Sequence, residues 1–264
     1  MKRLLLTAFL LIAGSLCVTA QTLDQFLNHP LRAPYDNAQL AYRNRDFQKA
    51  IDLYTEVITK TDSSFSFELN MRKKALIYRS FCKKELKDFV GSIEDMNWAI
   101  LIDPKDLASY IDRGTTYLAM GELANAKADF LKIVDTDTKS IQAKGGFYYL
   151  GLISNQESKT TEAIEYLTKA LKIDPDDIEI LFTRGYLYGL TMSSKDAISD
   201  YDRIIKLNPS LKEVYANRGT EKVNLYNRQE KKDPKLLASA CKDLKKAKEM
   251  GDDSVEDLIF IHCK

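Results

Sequence analysis

Histidine, cysteine and tryptophan are scarce in this chain of 264 residues, which has two histidines, four cysteines and one tryptophan. Few imidazoles and thiols leave little material for a metal site. His262 beside Cys263 has no further ligand at a suitable spacing. The sequence also lacks a glycine-rich phosphate loop and any recognisable pairing of a nucleophile with a base. It therefore predicts a protein that is not an enzyme, with no metal, no cofactor and no catalytic residues.

An excess of charge of either sign is also missing. Thirty-nine Lys and Arg residues oppose 38 Asp and Glu residues, which gives a net charge of +1. This balance gives no electrostatic footprint for nucleic acid or for an acidic membrane surface. A hydrophobic content of 45% argues against intrinsic disorder.

The only long apolar run lies at the start of the chain. Residues 1–20 have the pattern of a secretory signal peptide, with Lys2 and Arg3 before the apolar run and a cleavage site after Ala20. The run is too short to span a bilayer. Two alternatives stay open, a membrane anchor and lipidation at Cys17, although the bulky Leu16 disfavours the second. We expect an exported protein, periplasmic or on the cell surface or secreted, with no membrane insertion after signal removal.

A helix–turn–helix pattern between Asp106 and Ser140 organises the rest of the chain. Small residues, Gly114 and Ala126, allow two helices to approach closely, and Gly121 permits the turn between them. The small residue recurs at a spacing of 34 residues from Ser80 to Gly114, and again from Gly151 to Gly185 and to Gly219. Three extra residues lie between Gly114 and Gly151. Asp-Pro or Asn-Pro closes several copies, because proline cannot continue a helix.

These residues resemble the tetratricopeptide repeat family over most of the mature chain. The resemblance implies an all-α fold, a right-handed superhelical array (α-solenoid) of about six hairpins. After a lead-in over 21–30, the array is predicted over 31–251, with a capping helix over 252–264. The hairpins are expected near residues 31–64, 73–106, 107–140, 144–177, 178–211 and 212–251. Residues 61–70 are expected to form an extended linker or a frayed helix end.

Arginine and aspartate recur together in four of the six repeats. An Arg precedes the crossing position and an Asp follows 16 residues later, or 25 in the last repeat, whereas repeats 1 and 4 lack both. We expect ion pairs that bridge the two helices of one repeat; the alternative is two solvated residues. The expected pairs are Arg79–Asp95, Arg113–Asp129, Arg184–Asp200 and Arg218–Asp243.

Two cysteines lie on either side of the predicted turn at Gly251. An antiparallel arrangement of the last two helices would bring Cys241 and Cys263 level, so a disulfide is predicted between them. The alternative is two buried thiols. Cys82 is expected to be a packed thiol.

The resemblance also implies a concave groove lined by the first helix of each repeat. Its expected residues are Tyr35, Tyr42, Ile77, Phe81, Ile111, Thr115, Tyr148, Leu152, Asn155, Phe182, Tyr186 and Thr220. An apolar and aromatic groove suits a peptide or protein partner. The alternative is that these side chains pack on one another. The predicted function is a scaffold that binds such a segment to assemble or tether an envelope complex. A structural subunit that uses its convex face or ends is the other possibility.

Overall fold

The computed structural model describes residues 29–62 and 64–264. All regular secondary structure among these residues is helical. The all-α repeat fold predicted from the sequence is therefore confirmed. The helices are α1 (Arg32–Arg43), α2 (Phe47–Lys60), α3 (Ser66–Glu85), α4 (Phe89–Ile102), α5 (Leu107–Ala119), α6 (Leu123–Thr136), α7 (Ile141–Gln156), α8 (Thr160–Ile173), α9 (Ile178–Leu190), α10 (Ser194–Leu207), α11 (Lys212–Arg228), α12 (Pro234–Glu249) and α13 (Glu256–His262). The predicted signal peptide and most of the lead-in lie outside the described residues.

The chain divides into two compact units between Ser109 and Tyr110, inside α5. In the first unit, the hairpins α1–α2 and α3–α4 share a core of small and aromatic side chains. Tyr54 is fully buried in that core and stacks on Tyr78, with ring centroids 5.9 Å apart. In the second unit, consecutive hairpins continue from α5 to α12, and α13 packs on α12.

Small residues at the helix crossings account for the close packing of the hairpins. A Cβ placed on Gly185 would lie 3.0 Å from the ring of Tyr201, and one on Gly114 would lie 2.8 Å from the ring of Phe130. Both rings are buried. A ring on the second helix therefore covers each of these two glycines on the first.

The linker predicted over residues 61–70 is wrong in its second half. Helix α3 begins at Ser66, seven residues before the expected start of the second repeat at Lys73. Met71 is 6% exposed and Phe67 packs against the same core, so the extra turns bury apolar surface. That burial favours helix where the local sequence alone gave no clear period.

The last described elements follow the turn at Gly251, whose φ is +87°. A short 3₁₀ turn (Asp253–Val255) leads into α13. Val255 is buried with Leu244 and Ala247 of α12, while Leu258 and Ile259 of α13 pack on the same cluster. The tail thus covers one face of α12. Among the described residues, no helix has both the length and the apolar character needed to cross a bilayer.

Candidate binding surfaces

All four predicted Arg–Asp partners lie within hydrogen-bond distance of each other. In each, the guanidinium Nε and Nη2 donate to the two carboxylate oxygens of the Asp. In repeat 5, Arg184 Nε lies 2.9 Å from Asp200 Oδ2 and Nη2 lies 2.6 Å from Oδ1. Asp200 is only 5% exposed, so the pair is largely desolvated. This bidentate geometry fixes the orientation of the first helix relative to the second.

In three of these arginines, Arg79, Arg184 and Arg218, a third donor reaches the preceding repeat. Nη1 of Arg184 donates to Thr168 Oγ1 at 3.1 Å, and Nη1 of Arg218 donates to Asp202 Oδ1 at 2.6 Å. Arg79 does the same to Thr55 Oγ1 at 2.9 Å. Our sequence reasoning placed the pairing within a repeat and missed this link. A signal existed, because each acceptor is the ninth residue of the preceding second helix.

Repeat 4 fills the same positions with apolar groups. Leu150 replaces the arginine and Tyr166 replaces the aspartate, while the ninth residue of the helix before it is Leu131. Leu150 is fully buried. Three positions that carry an ionic and polar cluster in repeat 5 are therefore all apolar or aromatic here.

In two repeats, a lysine of the first helix pairs with aspartates at the end of the same repeat. The sequence did not lead us to predict this contact. Lys144 Nζ lies 2.9 Å from Asp174 and 2.7 Å from Asp177. Lys73 lies 2.8 Å from Asp103. Burial would lower the pKa of Lys144, but its hydrogen bonds to the two carboxylates outweigh burial and raise that pKa. We expected the Asp-Pro pairs only to end helices. The structure shows that Asp103 and Asp174 of these pairs also accept hydrogen bonds from lysine side chains.

Part of the predicted groove forms a cavity in the first unit. The cavity has a volume of about 460 Å³ between α1 and α3, and three predicted groove residues, Tyr35, Ile77 and Phe81, line it. Gln39 Nε2 donates to the Tyr35 hydroxyl at 3.1 Å. Burial raises the pKa of Tyr35 to about 12, and the hydrogen bond from Gln39 opposes this rise. Tyr42 packs on Tyr78, with ring centroids 5.6 Å apart.

In the second unit, the predicted groove residues differ in their exposure and in their contacts with other side chains of the protein. The Tyr148 hydroxyl donates to Glu179 at 2.6 Å, and Phe182 meets the edge of Tyr201 at 6.1 Å. Tyr186 is 51% exposed. The remaining predicted residues of this unit are half-buried, namely Ile111, Thr115, Leu152, Asn155 and Thr220. Of the predicted groove residues in this unit, Tyr186 is therefore the most exposed.

The two cysteines predicted to pair lie together at the end of the array. The structure joins Cys241 and Cys263, with Cα atoms 5.4 Å apart, a spacing usual for disulfides. The link ties α13 to α12. Cys82 is fully buried, and burial raises the pKa of its thiol to about 11.

Comparisons with known proteins agree with this architecture. The family model described as tetratricopeptide repeat matches residues 107–139 and 147–177. The heat shock protein STI1 of Saccharomyces cerevisiae is 29% identical over 108 residues, which cover 40% of this chain and 17% of that protein. The chain also covers only 33% of human tetratricopeptide repeat protein 6. It thus spans much less than two thirds of either relative.

Two solved structures share the fold. One is the C-terminal part of a TPR repeat-containing protein from Cytophaga hutchinsonii, with a TM-score of 0.65 and 17% identity over 82% of this chain and 78% of that one. The other is YrrB, described as a TPR protein with an unusual peptide-binding site, with a TM-score of 0.55 and 19% identity over 69% of this chain and 88% of that one. At these identities the likeness shows the fold alone.

Residues 107–139 and 147–177 match the tetratricopeptide repeat model, and the helical hairpins before and after them share the same architecture. Tetratricopeptide repeat proteins are in general non-enzymatic scaffolds for interaction with proteins or peptides. The predicted helical repeat fold is confirmed, and the general likeness to interaction scaffolds is supported, while the absence of catalysis stays a prediction.

Proposed function

We propose that this protein is an exported scaffold that holds a peptide or protein segment of a partner against the first helices of its repeats. The observation that carries the proposal is the cavity between α1 and α3. Its aromatic and aliphatic walls, Tyr35, Ile77 and Phe81, stand beside polar groups such as Gln39 and Asn70. Apolar walls with a few polar groups are typical of ligand sites, and aromatic anchors dominate binding energies at protein interfaces.

The accessible face of the second unit supports the same function. Tyr186 lies half exposed on α9, four residues after Phe182, so both side chains lie on one face of the helix. An extended or helical segment could contact both at once. YrrB, which shares the fold, is described as having a peptide-binding site. We infer that the segment bound here is anchored through apolar side chains.

Export to the cell envelope is the second part of the proposal. It is supported by the signal-like residues 1–20 and by the pairing of Cys241 with Cys263, because disulfides persist in oxidising compartments. Fractionation of cells that express the full chain should place it outside the cytoplasm, and N-terminal sequencing should begin at Gln21. An intact N-terminus in the cytoplasm would contradict export. A membrane-bound form that begins at Cys17 would instead show lipidation.

A comparison of two surface variants tests the binding function. In-cell crosslinking followed by purification should recover a partner with the natural chain, and lose it with Ile77→Ala/Phe81→Ala in the cavity and with Tyr148→Ala/Tyr186→Ala on the second unit. Trp98→Ala on α4 serves as the matched control, since it removes an exposed aromatic ring elsewhere. Equal recovery by the natural chain and all the variants would mean that the first helices do not hold the partner.

One observation favours a second candidate, a structural subunit that binds through another face. Helix α4 carries Val90, Trp98 and Leu101, which are 60%, 55% and 67% exposed. Their spacing places them close to one side of the helix. In the same crosslinking experiment, loss of the partner only with Trp98→Ala would favour this function over binding along the first helices.

A further inference from the structure

A crevice of about 800 Å³ lies between the second helices of repeats 3 and 4. Leu131 and Val134 of α6 form one wall, and Tyr166 and Lys169 of α8 form the other, with Phe147 of α7 among the lining residues. Phe147 and Tyr166 stack with ring centroids 6.4 Å apart. None of the predicted groove residues lines this crevice, so it is a separate surface.

The crevice is apolar because repeat 4 lacks the ionic cluster of its neighbours. Repeat 5 has a crevice of about 630 Å³ at the equivalent place, lined by Thr168, Arg184 and Asp200. In the crevice between repeats 3 and 4, Leu131 of repeat 3 takes the place of Thr168, and Tyr166 of repeat 4 takes the place of Asp200. The crevice that is lined by paired charges at repeat 5 is therefore lined by aliphatic and aromatic side chains at repeat 4.

Lysines surround the apolar surface. Lys169 Nζ lies 5.3 Å from the ring centroid of Tyr166 and 5.8 Å from that of Phe147. Lys139 and Lys172 also line the crevice, against a single carboxylate, Asp135. Among the described residues, none of these three lysines forms an ion pair with a carboxylate. The charges of this rim are thus available to an anionic partner.

The two ends of the crevice differ in charge. Burial is the main cause that raises the pKa of the Tyr166 hydroxyl; the nearby carboxylates of Glu162, Asp135 and Glu165 add to this rise, and Lys127 opposes it. Carboxylates therefore outnumber lysines near that hydroxyl, which disfavours an acidic group there. A partner's carboxylate would therefore lie toward Lys169 and Lys172, while its apolar side chain lies against the stacked rings.

We propose that this crevice is a second binding site, which takes a segment of another protein with a phenylalanine or leucine flanked by aspartate or glutamate. The volume accommodates a few side chains, and the lysine rim complements the acidic flanks. The site is independent of the proposed groove, because no side chain serves both.

Fluorescence polarisation with a defined pair of peptides tests the proposal. The probe is a fluorescein-labelled peptide with one phenylalanine between paired aspartates, and its counterpart carries asparagines in place of the aspartates. We expect the acidic probe to bind roughly tenfold more tightly than the neutral one, the equivalent of about 1.4 kcal/mol. Equal affinity of the two probes, or no binding of either, would overturn the proposal.

Two crevice variants and one control locate the binding. Leu131→Thr/Leu150→Arg/Tyr166→Asp copies the ionic cluster of repeat 5 and should abolish binding. Lys169→Glu changes only an exposed side chain, so it tests the site even if the triple variant does not fold, and it should weaken binding of the acidic probe by about tenfold or more. Tyr148→Ala/Tyr186→Ala should leave the affinity unchanged. If Lys169→Glu bound as the natural chain does, or the control variant lost binding, the crevice would not be the site.

Discussion

Repeats 4 and 5 are consecutive hairpins, and they join their two helices by different means. In repeat 5, Arg184 bridges to Asp200 and to Thr168 of the repeat before it. In repeat 4, Leu150 and Tyr166 take the equivalent places, and Leu150 is fully buried. The comparison shows that the backbone of the hairpin does not require the ion pair. What it requires is that both positions change together, since one charge without its partner would be buried alone.

Breaking the ion pair of repeat 5 on one side should have the largest effect. We expect Arg184→Leu to lower the free energy of unfolding by about 3–5 kcal/mol, because Asp200 stays buried without its partner. The double variant Arg184→Leu/Asp200→Tyr copies repeat 4 and should lose much less. Urea denaturation of the natural chain, both single variants and the double variant gives the coupling energy. Strictly additive losses would show that the two side chains do not interact.

The second prediction concerns the end of the array, where repeat 6 is closed by a covalent link that repeats 4 and 5 do not have. With a sequence separation of 22 residues between Cys241 and Cys263, the disulfide should contribute about 3 kcal/mol by restricting the unfolded chain. Thermal unfolding of the oxidised protein and of Cys241→Ser/Cys263→Ser measures this. The mature, denatured but unreduced chain should show one free thiol, Cys82. A count of three would contradict the pairing.

Repeats 4 and 5 also differ at their first residue, Lys144 against Ile178. Since Asp174 is well exposed, Lys144→Met should cost no more than about 1 kcal/mol at neutral pH. The pKa of Lys144 is raised in the folded state, so its contribution is present below pH of about 10 and disappears as the pH rises through that raised value. The pKa of Asp174 is lowered, mainly by its hydrogen bond from Lys144, so its contribution is present above pH of about 4 and disappears as the pH falls through the lowered value.

The coupling of Lys144 to its carboxylates is measured by the free energy of unfolding as a function of pH. The natural chain should lose stability at both ends of the range, and Lys144→Met should lose less at each end. Lys195→Met serves as the control, because Lys195 is exposed and forms no ion pair among the described residues. A pH profile of Lys144→Met that ran parallel to that of the natural chain would mean that the lysine and its carboxylates are not coupled.

The sequence predicted features that repeat at fixed spacing, and it missed features that depend on contact between repeats. The positions of Arg184 and Asp200 recur together, so a link between them could be predicted. The link from Arg184 to Thr168 depends on stacking, and a threonine in a helix is too ordinary to draw notice. The turns between the helices of a repeat were also only partly predictable from residue type. Gly121 has a φ of +77°, as its residue type suggests, but Ser158 and Met192 adopt nearly the same conformation with side chains that do not indicate it.

Substitutions in these turns should change the free energy of unfolding least. They extend the comparison of repeats 4 and 5 to backbone conformation. Ser158 in repeat 4 and Met192 in repeat 5 have φ values of 62° and 59°, a region that favours glycine. Gly121→Ala should destabilise the protein by about 1 kcal/mol, since alanine is strained at positive φ although space is open around it. Ser158→Gly should relieve strain in the folded state but add freedom to the unfolded chain, so we expect a net gain below about 1 kcal/mol. Urea denaturation of the two variants beside the natural chain measures both changes. If Gly121→Ala cost nothing, or Ser158→Gly destabilised the protein, the left-handed turn would not be a source of strain that these repeats share.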